Sequence, residues 1–257
     1  MRLVFVGAGR LATQLAQALH AKGHDVVAVY SRTMASASAL ASLVGGRATD
    51  CLSDLPLEAD AFILALKDSV LPEVAARLAE GREQCPMFHT AGSVPMSVFG
   101  TLPHHGVVYP MQTFSKDRPV DFSRVPIFIE GSSDRALRVA TTLASSVSTD
   151  VRQLSSAERR YLHLAAVFAC NFANHCYALS ARILERHGMD FQVMLPLIDE
   201  TARKVASMHP LDAQTGPAVR YDENVIRAQQ QLLADDPQMQ ALYTLLSQSI
   251  HHFSQDQ

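Results

Sequence analysis

Three polar side chains lie in apolar stretches and could move a proton or polarise a substrate. His163 and Asn171 belong to a predicted helix that is apolar between residues 165 and 170, and His89 ends a short apolar strand. An imidazole exchanges protons near neutral pH, and an amide donates hydrogen bonds to a carbonyl or an imine. Two of these residues also have a structural alternative: Asn171 as a core amide tied to backbone, and His89 as a group bonded to backbone.

A glycine turn at residues 7–12 follows the apolar run at residues 3–6 and has the pattern G-x-G-x-x-A. A strand, this turn and a helix together suit a pyrophosphate, because glycine lets it approach the backbone and the helix start offers free N–H groups. The alternative is a purely structural turn. The residues expected to border the phosphates are Gly7, Ala8, Gly9, Arg10 and Leu11.

The end of the second predicted strand indicates which dinucleotide fits. An NAD site usually has an acidic residue there, whereas this chain has Ser31, Arg32 and Thr33 after Tyr30. A guanidinium beside hydroxyl groups suits a 2′-phosphate, so we expect NADP rather than NAD. Alternatively, Arg32 is a solvated loop residue and Ser31 only caps the next helix.

Polar residues follow other predicted strands at their carboxyl ends, where ligands bind in an open parallel sheet. Leu66 and Lys67 are expected to border the cofactor, and Ser93 and Gln112 the substrate. Asp68 is expected to cap the helix that follows it.

Alternation of apolar strands with helices positions these residues and extends to about residue 154. It predicts an α/β fold with an N-terminal, mostly parallel, doubly wound sheet. The predicted strands are 3–6, 25–30, 47–49, 59–66, 86–89, 106–109, 126–130 and 150–154, and the helices between them include 34–44, 70–79 and 134–146.

The strand pattern ends there, so we assign residues 1–154 to NADP binding and 155–257 to an all-helical domain for substrate binding and dimerisation. The predicted helices are 159–187, 190–207 with a kink at Pro196, one from Pro217 or Asp222 to Leu233, and one capped by residues 235–237. Regular helical spacing would place His163, Val167 and Asn171 on one face. Asn174, one turn on, and Arg220, which could clamp an acidic group or pair with Asp222 or Glu223, are further substrate candidates.

Composition narrows the classes of partner. A net charge of -3 with 18% charged residues gives no electrostatic case for nucleic acid or a membrane surface. No apolar run is long enough to span a membrane. Four cysteines without a C-x-x-C pair predict no metal site and indicate free thiols in a reducing cytoplasm.

The chain resembles two-domain bacterial proteins with a Rossmann-like domain and a helical C-terminal domain of unknown function, assigned as NADP oxidoreductases. They belong with phosphogluconate dehydrogenase, ketopantoate reductase and pyrroline-5-carboxylate reductase. The resemblance rests on Gly7-Ala8-Gly9, Ser31-Arg32-Thr33, residues 89–93, residues 109–114, His163 through Asn171, and Thr215-Gly216-Pro217 with Arg220 and Asp222.

The resemblance implies an NADP(H)-dependent oxidoreductase that transfers hydride to or from a small carbonyl or imine between the domains, and a homodimer through the helical domain. Asn171 would polarise the substrate, and His163 or His89 would supply the proton. Characterised relatives carry a lysine where this chain has Val167, so the alternative is a non-catalytic NADP-binding sensor; a deazaflavin-linked oxidoreductase is a third possibility. The chain also has Ala91-Gly92 for Ser-Gly, and Tyr221-Asp222 for Gly-Asp.

Overall fold

A computed structural model describes residues 1–115 and 118–255, and the chain divides into two compact units, Met1–Cys170 and Asn171–Gln257. In the described residues of the first unit, eight strands form one sheet in the order β3-β2-β1-β4-β5-β6-β7-β8. The strands are β1 Arg2–Val6, β2 Asp25–Tyr30, β3 Arg47–Thr49, β4 Ala61–Leu64, β5 Met87–His89, β6 His105–Pro110, β7 Ile127–Gly131 and β8 Val151–Gln153.

All neighbouring strands are parallel except β6 and β7, which are antiparallel. Helices cover the sheet on both faces, and the predicted fold class is confirmed. The helices of this unit are α1 Arg10–Ala21, α2 Met34–Val44, α3 Leu71–Ala79, α4 Asp134–Val147 and α5 Ser156–Ala166.

Strand β1 shows why the sequence folds in this way. Leu3 and Phe5 are buried in a core shared with α1, α2 and α4, whereas Val4 and Val6 are buried in a second core that includes residues of α3. Successive side chains of a strand point to opposite faces, so an unbroken apolar run needs cover on both sides. The apolar strands thus require the two helical layers.

The second unit is helical in its described residues. Its helices are α6 Ala173–Arg186, α7 Leu195–Ser207, α8 Pro210–Ala213, α9 Glu223–Leu232 and α10 Pro237–Gln255. The predicted kink at Pro196 is wrong, because Pro196 lies in the first turn of α7, where its missing N–H has no intrahelical partner to lose. Asp222, rather than Pro217, begins α9: its carboxylate accepts the Val225 N–H at 3.4 Å.

The predicted continuous helix 159–187 is interrupted by a π-helical segment, Val167–Phe172. An extra residue in one turn rotates the faces that follow, so the regular α-helical spacing assumed for His163 and Asn171 does not hold across it. The division between the compact units falls inside this segment. The change from strands to helices comes earlier, after β8.

An ion pair anchors the start of α5 to the sheet. The Arg159 guanidinium, 1% exposed, donates to the Glu130 carboxylate at 2.7 Å and to the Val94 carbonyl at 2.6 Å. Ser156 donates its backbone N–H and its hydroxyl to the same carboxylate. Burial raises the pKa of Glu130, but these hydrogen bonds from Ser156 and Arg159 outweigh it and leave the pKa below its usual value. Glu130 is therefore held as a carboxylate.

Replacing Arg159 by Met should lower the free energy of unfolding by about 3–5 kcal/mol, because Glu130 would lose its cation while most of it stays buried. Urea unfolding at pH 7 measures this. The matched control is Arg152→Met, which breaks an exposed ion pair with Asp150 and should change the free energy of unfolding far less. Equal losses in the two variants would contradict the assignment of Arg159 as an anchor.

Candidate functional site

The glycine turn after β1 forms an open cradle at the start of α1. Gly7 has a φ of +117°, and a Cβ there would lie 2.3 Å from the Ala65 carbonyl oxygen, so only glycine fits. Gly9 occupies the N-cap position of α1, and a Cβ on Gly9 would meet nothing within 4 Å. Among the described residues no side chain caps this helix, so its first N–H groups have no side-chain acceptor there. Such a helix start attracts an anion.

The structure brings several predicted cofactor residues to this cradle. Buried Ala8 lies between the two glycines, and Arg10 and Leu11 begin α1. Leu66 packs against the turn, with its Cδ2 3.3 Å from the position of a Cβ on Gly7. Lys67 follows as an exposed residue. The ends of β1 and β4 therefore meet where phosphates are expected.

The end of β2 leaves a cation free. Thr33, rather than Ser31, caps α2: its hydroxyl oxygen accepts the Ser36 N–H at 3.4 Å. Ser31 donates its backbone N–H to Thr49 at 3.1 Å. Arg32 is exposed and forms no ion pair within the described part of the chain. An exposed guanidinium without an ion-pair partner can bind the phosphate group of a ligand.

His89 is fully buried at the end of β5. Its Nδ1 accepts the Ala91 N–H at 3.1 Å, and its ring stacks on Phe99 with centroids 5.8 Å apart. Burial lowers the pKa of His89 to about 4, and the positive charge of Arg159 adds to this effect. The Pro95 backbone acts in the opposite direction and raises the pKa, but it does not outweigh them. Its Nε2 has no hydrogen-bond partner among the described residues. This arrangement favours the backbone-bonded alternative and a neutral imidazole.

His163 meets Tyr109 within the first unit. The Tyr109 hydroxyl and His163 Nδ1 are 3.1 Å apart, and the two rings are 6.1 Å apart at 72°. A Cβ on Gly92 would lie 2.4 Å from His163 Nδ1, so the imidazole rests directly on that glycine. Neither Tyr109 nor Gly92 was a predicted site residue, although both lie where strands of the sheet end.

Two loops at the same edge of the sheet are joined by Asp68 and Ser93. The Ser93 hydroxyl donates to the Asp68 carboxylate. The predicted capping role of Asp68 is wrong, since no side chain caps the start of α3 in the described residues and this carboxylate faces the neighbouring loop. Ser93, a predicted substrate residue, is exposed beside His89 and Gly92 in sequence.

Gln112 lines a cavity of about 510 Å³ in the loop between β6 and β7. Arg118 and Arg124 line the same cavity. Gln14 of α1 fixes this loop, with its amide nitrogen donating to Ser115 at 3.0 Å. Gln112 is thus placed in a pocket that has two cationic side chains.

The second unit carries the remaining predicted residues. Asn171 and Asn174 are exposed, and neither side chain forms a hydrogen bond among the described residues, so the core-amide alternative for Asn171 is not observed. Asn171 lies in the π-helical segment, a feature often found at functional sites. Its predicted contact with substrate stays a prediction.

Arg220 is exposed in the turn before α9 and makes no ion pair with Asp222 or Glu223 in the part of the chain that the structure describes. The next residue, Tyr221, has a φ of +49°, in the left-handed region that favours glycine. Its ring lies 4.7 Å from that of His251. Arg220 is therefore free to bind an acidic group.

Among the described residues no group of three or more histidine, cysteine, aspartate or glutamate side chains could hold a metal ion. No described helix has the length and apolar character needed to cross a membrane.

The fold and the open glycine cradle are those of a dinucleotide-binding protein, and comparisons with known proteins agree. Residues 2–85 match the family described as NADP oxidoreductase, coenzyme F420-dependent, and residues 125–250 match a domain of unknown function designated DUF2520. A provisionally assigned NADP oxidoreductase from Bacteroides fragilis is 53% identical, with 98% of each chain covered and a TM-score of 0.93. The chain belongs to this NADP oxidoreductase family, as its sequence motifs indicated.

Two more distant structures share the fold. A protein from Thermotoga maritima is 22% identical, over 98% of this chain and 99% of its own, with a TM-score of 0.83. An imine reductase from Myxococcus stipitatus in complex with NADP+ is 13% identical, over 100% and 93%, with a TM-score of 0.65. No curated protein matches the chain.

The lowered pKa of His89 should make folding depend on pH. The unfolded imidazole binds a proton near pH 6.5 and the folded one near pH 4, so stability should fall as pH drops through this window. Between pH 7 and pH 4.5 the loss from His89 should be about 2 kcal/mol. The variant His89→Asn, whose amide oxygen can still accept the Ala91 N–H, should lack this loss in urea unfolding.

The control is exposed His187→Asn, which should keep the full pH dependence of the original protein. A His89→Asn variant with an unchanged slope between pH 7 and pH 4.5 would show that His89 is not the group that titrates.

Proposed function

We propose that the protein is an NADP(H)-dependent oxidoreductase that transfers hydride between the cofactor and a small carbonyl or imine. The observation that carries this proposal is the open cradle at Gly7 and Gly9 together with the unpaired, exposed Arg32. These two features supply N–H groups for a pyrophosphate and a guanidinium for a 2′-phosphate.

The cofactor, when bound, supplies the hydride, and the protein has to orient the substrate and manage a proton. The proposed cofactor-binding residues are those of the cradle and the end of β2, with Leu66 and Lys67 at the border. We assign proton transfer to His163, since His89 is buried and neutral. Asn171 and Arg220 are the proposed groups for polarising the substrate and for holding an acidic part of it, because both are exposed without partners among the described residues.

The function is tested by following NADPH absorbance with the purified protein against a panel of keto acids and cyclic imines. Oxidation of NADPH that depends on one panel class supports a reductase and names its substrate class. Tight NADPH binding with no turnover across the panel would instead support a sensor. A parallel assay with a deazaflavin as hydride acceptor tests the coenzyme named by the matching family.

Cofactor choice gives a sharper prediction. Arg32→Gln should weaken NADPH binding by about 10–100-fold, the loss expected for charge-assisted hydrogen bonds to one phosphate, and should leave NADH binding nearly unchanged. Fluorescence titration measures both constants. Arg138→Gln, which removes an exposed arginine from α4, should change neither; equal weakening by both variants would refute specific recognition at Arg32.

We also propose that the helical unit forms a homodimer. In the second unit an open apolar groove of about 380 Å³ is lined by Ile183, Met194 and Leu246 among others. Ile183 is 37% exposed and Leu246 is 44% exposed. Exposed apolar surface of this kind marks an interaction site. We propose that a second copy of the chain covers the groove, because the family resemblance implies a homodimer through the helical domain.

Leu246→Glu should shift the protein from dimer to monomer at micromolar concentration, because a charge would be buried in the interface. Light scattering after size exclusion gives the mass directly. The control Leu57→Glu alters a side chain that is 62% exposed in the first unit and should leave the mass unchanged. A monomeric original protein would exclude the proposal.

A further inference from the structure

Tyr109 and His163 reach each other from elements far apart in sequence. Tyr109 lies near the end of β6, and His163 lies in α5. The Tyr109 hydroxyl is nevertheless 3.1 Å from His163 Nδ1, and the two rings meet edge to face. Tyr109 is 8% exposed, while His163 is partly exposed. One partner is therefore enclosed in the sheet and the other is accessible to small molecules.

The surroundings leave His163 little freedom. Arg159, one helical turn earlier, is anchored to Glu130 and fixes the path of α5. Gly92 lies against the imidazole. A Cβ added to Gly92 would be 2.4 Å from His163 Nδ1 and 3.0 Å from the Tyr109 ring, so no larger residue fits there. The contact thus depends on backbone and on a buried ion pair, so it is a built feature of the first unit.

The tyrosine hydroxyl stays protonated at neutral pH. Burial raises the pKa of Tyr109, with Arg159 acting against this and Cys170 adding to it. A neutral hydroxyl has one proton to donate and lone pairs to accept with. It can donate to Nδ1 of a neutral imidazole and accept from Nδ1–H of an imidazolium, so the hydrogen bond survives a change in the charge of His163.

We propose that Tyr109 is a positioning residue that holds His163 with Nε2–H directed away from the sheet, and that this pair delivers the proton in the reaction. The proton-transfer part rests on the proposed oxidoreductase function. The positioning part rests on the contacts of Tyr109, His163 and Gly92 alone. A hydrogen bond to one ring nitrogen sets which nitrogen carries the proton.

In the direction of reduction, His163 is the proton donor and the oxygen or nitrogen of the substrate is the acceptor. As the hydride supplied by the cofactor reaches the carbonyl or imine carbon, the π-bond electron pair moves to the oxygen or nitrogen and takes the proton from His163 Nε2. The Nε2–H bond breaks, an O–H or N–H bond forms, and the imidazolium becomes neutral. The neutral imidazole keeps its Nδ1–H and donates it to the Tyr109 hydroxyl, and solvent then returns a proton to Nε2.

The positioning role is tested without substrate by ¹⁵N NMR of the histidine rings in the intact protein. In the neutral form, His163 should show Nε2 protonated and Nδ1 as a hydrogen-bonded acceptor. Tyr109→Phe keeps the ring contact but removes the hydroxyl, and it should move the Nδ1 resonance downfield toward that of a free acceptor nitrogen.

Tyr243→Phe is the matched control, because it removes a hydroxyl that donates to Gln229 in the second unit and should leave the His163 resonances in place. Urea unfolding of Tyr109→Phe confirms that the variant is folded. A protonated Nδ1 in the original protein, or unchanged resonances in Tyr109→Phe, would overturn the proposal.

The proton-transfer role is measured with the cyclic imine or keto acid that the panel shows to be reduced fastest. Tyr109→Phe should lower kcat at least tenfold with little change in the KM for NADPH, and His163→Gln should lower it by about 10²–10⁴-fold, the range for a general acid. Unchanged kcat in both variants would overturn this role. Failure of every panel member would count against the proposed function, whereas the NMR result would still decide the positioning of His163.

Discussion

The buried ion pair between Arg159 and Glu130 is the constraint on which the candidate site depends. It ties the first turn of α5 to β7 at 2.7 Å, and the Val94 carbonyl takes a second donor from the same guanidinium. Because His163 lies one turn further along α5, its position relative to Tyr109 follows from this anchor. A charge pair of this kind contributes little net stability over apolar packing, so its value here is that it fixes one geometry.

Much of the first unit could be predicted from the sequence, since its signals are local. Unbroken apolar runs such as residues 26–30 mark buried strands, and Gly45 marks the end of α2 with a φ of +79°. Asp222 is a predicted start of a helix, and its carboxylate accepts the Val225 N–H. The cap predicted at Ser31 lies close to the observed one, because Thr33 caps α2. These features need only a few neighbouring residues, so their pattern survives in a single sequence.

The failures share a different cause. Asp68 was expected to cap a helix, but its carboxylate binds Ser93 in another loop. Pro196 was expected to bend a helix that in fact starts beside it. The π-helical segment leaves no mark in the side-chain pattern, and the contact between Tyr109 and His163 joins positions 54 residues apart. Contacts between residues far apart in sequence determine these features, and local sequence propensity carries no information about such contacts.

The reversed direction of β7 has a consequence for how this fold can diversify. Pro110 and Ile127 pair across the antiparallel step, so the loop that joins β6 to β7 leaves and re-enters the sheet at the same end of these two strands. Insertions or deletions in that loop shift no strand register, because both of its ends are fixed by the same pair. The wall that carries Gln112 and Arg118 can therefore change in length while the pairing of the strands stays intact.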